Sequence, residues 1–384
     1  MTEAHGYLKQ LLANLKALRD KAGLSEAALE EKLILGPGWV RRFEQGETIP
    51  SIDMLLAILH ETGANLDALL KGLPDAPDAA EVERYIFAEQ EGDDIIVHFR
   101  YAIFDAQYLL RTATVEQFEV VIKTLRNGLA RLAAEDDTMS EAIKTEAVAA
   151  CFLTAVKTWP HANPSDLWWF VVYRAYCDPY NHPAQYARLD FTQSWKRTGG
   201  WALEEILVRH YGPFLKTRGI NLFIANGAEK QAIIKGLKVG DRLEADKIDV
   251  VLKGDHQGQK KFFGVVHVKA SFAERRTDDV PMSLALVKHG FTSPLWTMDC
   301  KSTPSATPTN RGELGNAEGD RRSAKRKDIE DEGYFSGCFS YNKNTASSGK
   351  KIPPERTIYV CDFRDPNDAF SQFIIQRWRA FQTA

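Results

Sequence analysis

Two residues about 20 positions apart carry the clearest chemistry in this sequence. Asp249 stands at the start of the apolar run VVL, and Lys269 ends the run GVVHVK. Metal-dependent hydrolysis of a phosphodiester needs carboxylates to hold Mg²⁺ and a lysine that orients water and offsets developing charge. Strand alternation would put His267 and Lys269 on one face of the second run, with Val266 and Val268 on the other. The sequence therefore predicts a Mg²⁺-dependent phosphodiesterase centre at Asp249 and Lys269.

The pair resembles the active site of PD-(D/E)xK nucleases, with one departure. His267 stands where an acid is expected two residues before the lysine, so we assign it to the catalytic group as a neighbour of the metal ligands or a DNA-phosphate contact. Restriction-type nucleases commonly bring a helical glutamate to the metal. We therefore predict that Glu204, in the helix-patterned stretch QSWKRTGGWALEEIL, is a catalytic residue and the second metal ligand. Glu205 is a weaker candidate, and Glu274 or Asp279 is an alternative.

A second D-x-K pattern competes for this role. Asp299 and Lys301, in PLWTMDCK, match the literal motif better and also lie at a predicted strand end. Their partner acid would be Asp278 or Asp279. We prefer Asp249 and Lys269 because the order strand, strand, helix, strand then places the site at the middle of the sheet.

The segments around these residues predict an α/β (α+β) core with a mixed sheet. Helical patterns dominate residues 81–180, where the aromatic run DLWWFVVYRAY is typical of a buried core. A long helix then precedes the β-rich runs KIDVVL, KFFGVVHVKASF, PLWTMDCK and RTIYVCDF, with the helical stretch VPMSLALVKHG between the second and third. Residues 302–354 are polar and rich in Ser, Gly and Asn, which predicts either partial disorder or a loop that embraces DNA.

A separate helical module is predicted at the N-terminus. Short apolar patterns are punctuated by Ser25 and Ser51 as helix caps and by Gly23 and Gly63 at helix ends. The predicted organisation is an all-α domain over residues 1–73, a linker over 74–80 and a catalytic part over 81–384, in which 81–180 is a helical layer and 181–384 holds the α/β core.

The stretch from Leu24 to about residue 60 resembles the lambda-repressor/Cro class of helix-turn-helix domains. Its distinctive residues are Ser25, the turn near Gly36, the second-helix segment 39–45 and Pro50. The resemblance implies DNA binding through a helix that enters the major groove, where Arg and Gln pair with guanine and adenine edges. Pro37 and Gly38 depart from the usual start of that helix, and a helical bundle used for dimerisation is the alternative. The predicted DNA-contacting residues are Trp39, Arg41, Arg42 and Gln45.

Residues from about 160 to 300 resemble the BsaWI-type restriction endonucleases, which are related to enzymes that cut sites containing CCGG. The resemblance rests on PSDLWWFVVYRAY, QSWKRTGGWALEEIL, KIDVVLKG and VVHVKASFAERRTDDVPMS. It implies a type II restriction enzyme that cuts double-stranded DNA with Mg²⁺ as a homodimer or tetramer. A charged cluster after the lysine would read G·C pairs, although a solvated turn is the alternative. The cluster comprises Glu274, Arg275, Arg276, Asp278 and Asp279.

Composition excludes several other classes. The net charge of −3 means that any DNA-binding surface must come from a local concentration of Lys and Arg. The five cysteines are scattered, and the charged first residues lack a signal-peptide core, which favours a reducing cytoplasm. No phosphate-binding loop, zinc-protease or serine-hydrolase motif is present. A transcriptional repressor with a non-catalytic C-terminal domain is the competing hypothesis.

Overall fold

The structure is a computed structural model that describes a chain of two compact units, Met1–Val82 and Glu83–Ala384. The described residues are 2–45, 47–48, 50–72, 84–133, 139–183, 190–237, 247–271, 276–317 and 322–383. None of the helices in these ranges is long and apolar enough to cross a membrane.

In the part of the N-terminal unit that the structure describes, the secondary structure is entirely helical, as the sequence predicts. Ser25 and Ser51 cap their helices by accepting hydrogen bonds from the N–H groups of Ala28 and Met54, while Gly63 ends a helix at φ 65°. The core is aliphatic and includes Leu29 and Ile58. The helices are α1 (Thr2–Lys21), α2 (Glu26–Lys32), α3 (Trp39–Glu44), α4 (Ile52–Thr62) and α5 (Leu66–Leu70).

Two buried carboxylates fix the position of α3. Glu44 receives both Nε and Nη2 of Arg19, at 2.7 and 3.0 Å. Glu30 accepts the backbone N–H of Val40 at 3.0 Å, so it satisfies a donor at the start of the helix. The short α3 is therefore held rigidly against α1 and α2.

The second unit opens with a three-stranded antiparallel sheet that the sequence prediction missed. Its strands are β1 (Ile86–Glu91), β2 (Asp94–Tyr101) and β3 (Phe104–Leu110). The inward residues of β2, Ile95, Val97 and Phe99, alternate with more exposed ones and join the main core. The predicted helical layer over 81–180 therefore begins only after this sheet.

Helices follow the small sheet and bury the aromatic run. They are α6 (Val115–Ala130), α7 (Ser140–Thr158) and α8 (Pro164–Asp166), which continues through a π-helical stretch, Leu167–Val172, into α9 (Tyr173–Tyr176). Trp168 and Phe170 are 0% and 1% exposed. This confirms the prediction that the run DLWWFVVYRAY is core.

A six-stranded mixed sheet forms the centre of the unit, which confirms the predicted fold class. The strand order is β4-β5-β6-β7-β8-β9; β4, β5 and β6 pair antiparallel, while β6 to β9 pair parallel. The strands are β4 (Ile220–Phe223), β5 (Val250–His256), β6 (Gln259–Lys269), β7 (Leu295–Thr297), β8 (Cys338–Ser340) and β9 (Ile358–Val360). The helices are α10 (Phe191–Lys216), α11 (Gly227–Leu237), α12 (Arg276–Lys288), α13 (Ala324–Glu330) and α14 (Ala369–Thr383).

The polar excursion at 302–354 is structured wherever it is described. It contributes β8 to the central sheet, with Cys338 and Phe339 fully buried. Arg326, 0% exposed, donates to the carbonyl of Leu314 at 3.1 Å and to Glu330 at 2.6 Å. The excursion folds around buried polar groups. Because its composition is therefore polar, the sequence predicted disorder or an open loop.

Acidification should destabilise the second unit through His182. Its ring stacks on Phe191 at 3.9 Å, its Nε2 donates to the Tyr176 carbonyl at 2.6 Å, and burial lowers its pKa to about 4. An unfolded histidine titrates near 6.5, so the unfolded state binds more protons; stability present above pH 6.5 is lost as the pH falls toward 4.

The test compares urea unfolding of the parent and of His182→Gln, which keeps an amide donor, at pH 7 and 4.5. The decrease in unfolding free energy from pH 7 to pH 4.5 should be about 2 kcal/mol smaller in the variant than in the parent. Equal losses in the two proteins would contradict this role for His182.

Candidate active site

Asp249 and Lys269 meet at the edge of the central sheet where the parallel strands end. Asp249 directly precedes β5, which runs antiparallel to β6, so it lies beside the last residues of β6. Its Oδ2 accepts the backbone N–H of Val268 at 2.8 Å and Lys269 Nζ at 2.8 Å. The structure therefore brings together the two residues on which the sequence prediction rests.

A second carboxylate reaches the same lysine from α12. Asp279 Oδ1 lies 3.4 Å from Lys269 Nζ, and the side chains of Asp279 and Lys269 are 1% and 9% exposed. The ammonium thus stands between two carboxylates in a place with little water, where Coulomb interactions are strong. With two carboxylates and one ammonium, the cluster carries a net negative charge, and this charge favours the binding of a further cation.

His267 is buried behind this cluster instead of facing a ligand. It is 0% exposed, its Nε2 lies 3.0 Å from Ser293 Oγ, and its ring packs edge-on against Phe335. Burial lowers its pKa to about 4, so the ring is neutral near pH 7. The observed partners of His267 are therefore Ser293 and Phe335, and the expected contact with metal or phosphate stays a prediction.

Two serines that the sequence reading missed connect His267 to α12. Ser293 Oγ is 2.8 Å from Ser283 Oγ, and Ser283 lies one helical turn after Asp279, on the same face of α12. The hydrogen bonds therefore join β6 to the helix that carries Asp279. The sequence signal that could have revealed this link is the four-residue spacing of Asp279 and Ser283, which puts two polar side chains on one face of the helix.

Glu204 is not brought into a cluster of three acids with Asp249 and Asp279. Among the residues that the structure describes, no group of three His, Cys, Asp or Glu side chains is arranged to hold a metal. Glu204 lies in α10 next to the buried Leu203, and Glu205 pairs with Arg209 at 2.5 Å. A metal-binding role for Glu204 stays a prediction.

Asp299, the rival aspartate, has a structural role. Its Oδ1 accepts the N–H of Glu313 at 2.6 Å and its Oδ2 accepts the hydroxyl of Thr345 at 2.6 Å. It is 1% exposed, and burial raises its pKa. Lys301 is 63% exposed and its Nζ lies 3.7 Å from Glu313. Because Asp299 braces the loop that follows β7, it is poorly available to a ligand.

The charged cluster after Lys269 is only partly described. Glu274 and Arg275 lie outside the described residues; Arg276 and Asp278 belong to α12, but the placement of their side chains is not described. Asp279 is buried against Lys269, which is inconsistent with the expected reading of bases by this residue. Asp279 lies instead beside Lys269.

The predicted DNA-contacting residues of the N-terminal unit lie on α3 and at its C-terminal end. Arg41, Arg42 and Gln45 are exposed, and the Arg42 guanidinium stacks over the half-buried Trp39 ring at 5.5 Å from its centre. Arg41 pairs with Glu26 at 3.2 Å. The helix begins at Trp39 and Gly38 precedes it at φ 79°, so Pro37 and Gly38 form the turn and not the first residues of the helix.

Comparison with known proteins gives matches to both units. A family model for the type 2 restriction endonuclease BsaWI matches residues 229–358, and a helix-turn-helix domain model matches residues 10–71. The chain is 39% identical over 238 residues to the type II restriction enzyme AgeI of Thalassovita gelatinovora, covering 60% of this chain and 83% of that enzyme.

Solved structures also match. A crystal structure of specific restriction endonuclease AgeI in complex with DNA superposes with a TM-score of 0.64 and 32% identity, covering 73% of this chain and 99% of that chain. A crystal structure of a pre-specific BsaWI–DNA complex matches with a TM-score of 0.33 and 15% identity over 70% of this chain and 95% of that chain.

Proposed function

Because this chain belongs to the BsaWI-type family of type II restriction endonucleases, we propose that Asp249, Lys269 and Asp279 form its Mg²⁺-dependent catalytic centre. The enzyme is a site-specific deoxyribonuclease that acts on double-stranded DNA. The observation that carries the site assignment is the Lys269 ammonium, 2.8 Å from Asp249 and 3.4 Å from Asp279.

The donor set suits a hard divalent cation. Mg²⁺ prefers oxygen ligands and is commonly held by one or two carboxylates together with water and substrate phosphate. Asp249 and Asp279 supply two such carboxylates at one point of the sheet edge. When bound there, the metal would polarise the scissile phosphate and lower the pKa of a bound water.

The residues of the chain supply the rest of the chemistry. Lys269 orients the attacking water and offsets the negative charge that develops on the phosphate oxygens. Asp249 is fixed by the N–H of Val268, so its free oxygen keeps one direction. His267, through Ser293 and Ser283, positions α12 and thereby Asp279. We therefore propose that His267 is a positioning residue.

Substituting Asp279 tests the assignment of the second acid. In Asp279→Asn the metal loses one of two carboxylates, and the cleavage rate at a fixed Mg²⁺ concentration should fall on the order of 10². The cleavage rate of Glu204→Gln should fall by less than that. Single-turnover cleavage over a Mg²⁺ titration measures both.

Asp299→Asn is the matched control, because Asp299 is, like Asp279, a 1%-exposed aspartate, and it belongs to the rival D-x-K pattern. The amide keeps an acceptor for the backbone of Glu313 and can donate to Thr345, so cleavage should stay within a few-fold of the parent. If Glu204→Gln or Asp299→Asn loses cleavage while Asp279→Asn does not, the second acid is wrongly assigned.

We propose that the target is a palindrome containing CCGG, cut by a homodimer in which each subunit cleaves one strand. The family resemblance supports this, and so does the residue composition of the cluster Glu274, Arg275, Arg276 and Asp278, since arginine pairs with guanine and a carboxylate accepts from cytosine. A cytoplasmic location is supported by the five cysteines, which are all free thiols. A repressor with an inert C-terminal domain is less well supported, because Asp249 and Asp279 both lie beside the Lys269 ammonium.

Exposed arginines of α3 should contribute to DNA affinity through phosphate contacts. Each cation that neutralises a phosphate adds about 0.9 to the slope of log affinity against log salt concentration. The double variant Arg41→Ala/Arg42→Ala should therefore reduce that slope by about 2. Fluorescence anisotropy with Ca²⁺ in place of Mg²⁺ measures it, and an unchanged slope would make the N-terminal unit irrelevant to binding of this DNA.

A further inference from the structure

The turn between β2 and β3 is unusual for a two-residue hairpin. Tyr101 pairs with Phe104, so the turn consists of Ala102 and Ile103. Ala102 has φ 54°, in the left-handed region that favours glycine. Ile103 is 90% exposed and Phe104 is 37% exposed. A strained turn thus presents an apolar β-branched side chain at the tip.

The strands behind this tip are firmly anchored. The Tyr101 hydroxyl lies 3.0 Å from the carbonyl and 2.9 Å from the hydroxyl of Ser302, and the N–H of Gln107 donates to Ala306 at 2.8 Å. The Arg174 guanidinium stacks over the ring of Tyr101 at 4.5 Å. The strands that carry the tip are therefore fixed to the segment 302–306 on one side and to Arg174 on the other.

The anchoring segment comes directly from the catalytic edge. The N–H of Cys300 bonds to the carbonyl of Ala270 at 2.9 Å, next to Lys269, and Ser302 follows two residues later. Summing the reach of these links places Ile103 within roughly 30 Å of Lys269, about nine base pairs of duplex at 3.4 Å each. Duplex DNA at the catalytic centre therefore extends far enough to meet the tip.

The charge along this path suits DNA. The segment 301–311, KSTPSATPTNR, contains no acidic residue, and Arg311 is exposed at its end. Arg100, 76% exposed, lies beside the tip and is 3.7 Å from Asp105. The anchoring segment therefore adds no carboxylate that would repel a phosphate backbone, and exposed arginines lie on it and beside the tip.

We propose that the tip Ala102–Ile103 is a DNA-contacting element in which Ile103 enters a groove beside the cleavage site and contacts the apolar part of the bases. This inference rests on the proposed function. An isoleucine cannot bind phosphate, whereas apolar side chains contact thymine methyl groups in the major groove or wedge between base steps in the minor groove.

The test measures DNA affinity of the full-length protein by fluorescence anisotropy with Ca²⁺ and a duplex that carries the mapped cleavage site and its flanks. Ile103→Ala should weaken binding on the order of tenfold. Val120→Ala is the control, since Val120 is a 58%-exposed β-branched residue in α6 of the same unit; it should bind as the parent does.

Two probes distinguish the grooves. If Ile103 contacts a thymine methyl, replacing thymine by deoxyuracil in the flank weakens the parent and leaves Ile103→Ala unchanged. If it wedges between bases, 2-aminopurine in the flank brightens with the parent and not with the variant. Either result supports the inference.

Three results would overturn it: binding by Ile103→Ala equal to the parent, equal weakening by Val120→Ala, or a change in the mass of the DNA-free protein, which would indicate contact with a second copy. In each of these cases the parent still binds and cuts DNA. A parent that neither binds nor cuts would instead contradict the proposed function.

Discussion

Replacing Lys269 by methionine should reduce the single-turnover rate of DNA cleavage on the order of 10³. Methionine keeps most of the side-chain volume, so the packing between β6 and α12 survives. The ammonium that lies 2.8 Å from Asp249 and 3.4 Å from Asp279 is lost. Without it, nothing orients the water, and charge developing on the phosphate is not offset. DNA affinity measured with Ca²⁺ should change by less than about tenfold, because the Lys269 ammonium stabilises the transition state more than it stabilises bound DNA.

Lys301→Met is the matched control for this prediction. Lys301 belongs to the rival D-x-K pattern, yet it is 63% exposed and contacts Glu313 at 3.7 Å, away from Asp249. Its cleavage rate should stay within a few-fold of the parent. Loss of cleavage in Lys301→Met together with retention in Lys269→Met would move the active site to the rival motif.

Arg326→Met should cost about 4 kcal/mol of unfolding free energy, the largest stability effect that we expect. Arg326 is 0% exposed, and its guanidinium pairs with Glu330, whose side chain is 2% exposed. It also donates to the carbonyls of Leu314, Gly315 and Ala346. In the variant, the buried Glu330 carboxylate loses this partner, and each of the three carbonyls loses one hydrogen-bond donor. The segment between Leu314 and Ala346 should then become sensitive to proteases.

Lys327→Met is the control for the stability prediction, since Lys327 is the exposed neighbour on the same helix. Its unfolding free energy should lie within about 0.5 kcal/mol of the parent. Denaturant titration at pH 7 measures both variants. If Arg326→Met unfolds within about 1 kcal/mol of the parent, the excursion does not depend on this arginine.

Asp249 and Lys269 could be predicted because each depends on local pattern. An aspartate that opens a buried strand and a lysine that ends one are visible in a sequence, and strand alternation decides which side chains share a face. The predicted order of strands and helices then places the site at the middle of the sheet, and the structure carries it on the neighbouring strands β5 and β6. The helix caps Ser25 and Ser51 were predictable for the same reason, since a cap bonds to a residue only three positions away.

Asp279 illustrates what local pattern does not decide. It belongs to the charged cluster, so the sequence suggested a base reader and offered Asp279 as a metal ligand only as an alternative to Glu204. The register of α12 against β6 turns it toward Lys269. The contact joins residues from two elements that pack through Ser283 and Ser293. Such a tertiary contact depends on helix orientation, which the spacing of apolar residues fixes only to within part of a turn.

The excursion and the small sheet were missed for different reasons. Residues 302–354 look disordered because they are polar. Inside the fold, however, Arg326 pairs with Glu330, Asn342 donates to the backbone carbonyl of Asp299, and Thr345 donates to the Asp299 carboxylate. The β1–β3 sheet has alternating burial, but strands are short and the aromatic helices that follow dominate the apolar pattern. In both cases the burial comes from long-range partners.

Cleavage of phage DNA by the purified protein with Mg²⁺ is the most direct test of the central claim, the Mg²⁺-dependent site at Asp249, Lys269 and Asp279. We predict discrete fragments whose ends on both strands map to one palindromic sequence, lost on addition of EDTA and in Lys269→Met. Binding of the same DNA with no cleavage at any Mg²⁺ concentration, or discrete fragments that persist in Lys269→Met, would contradict it.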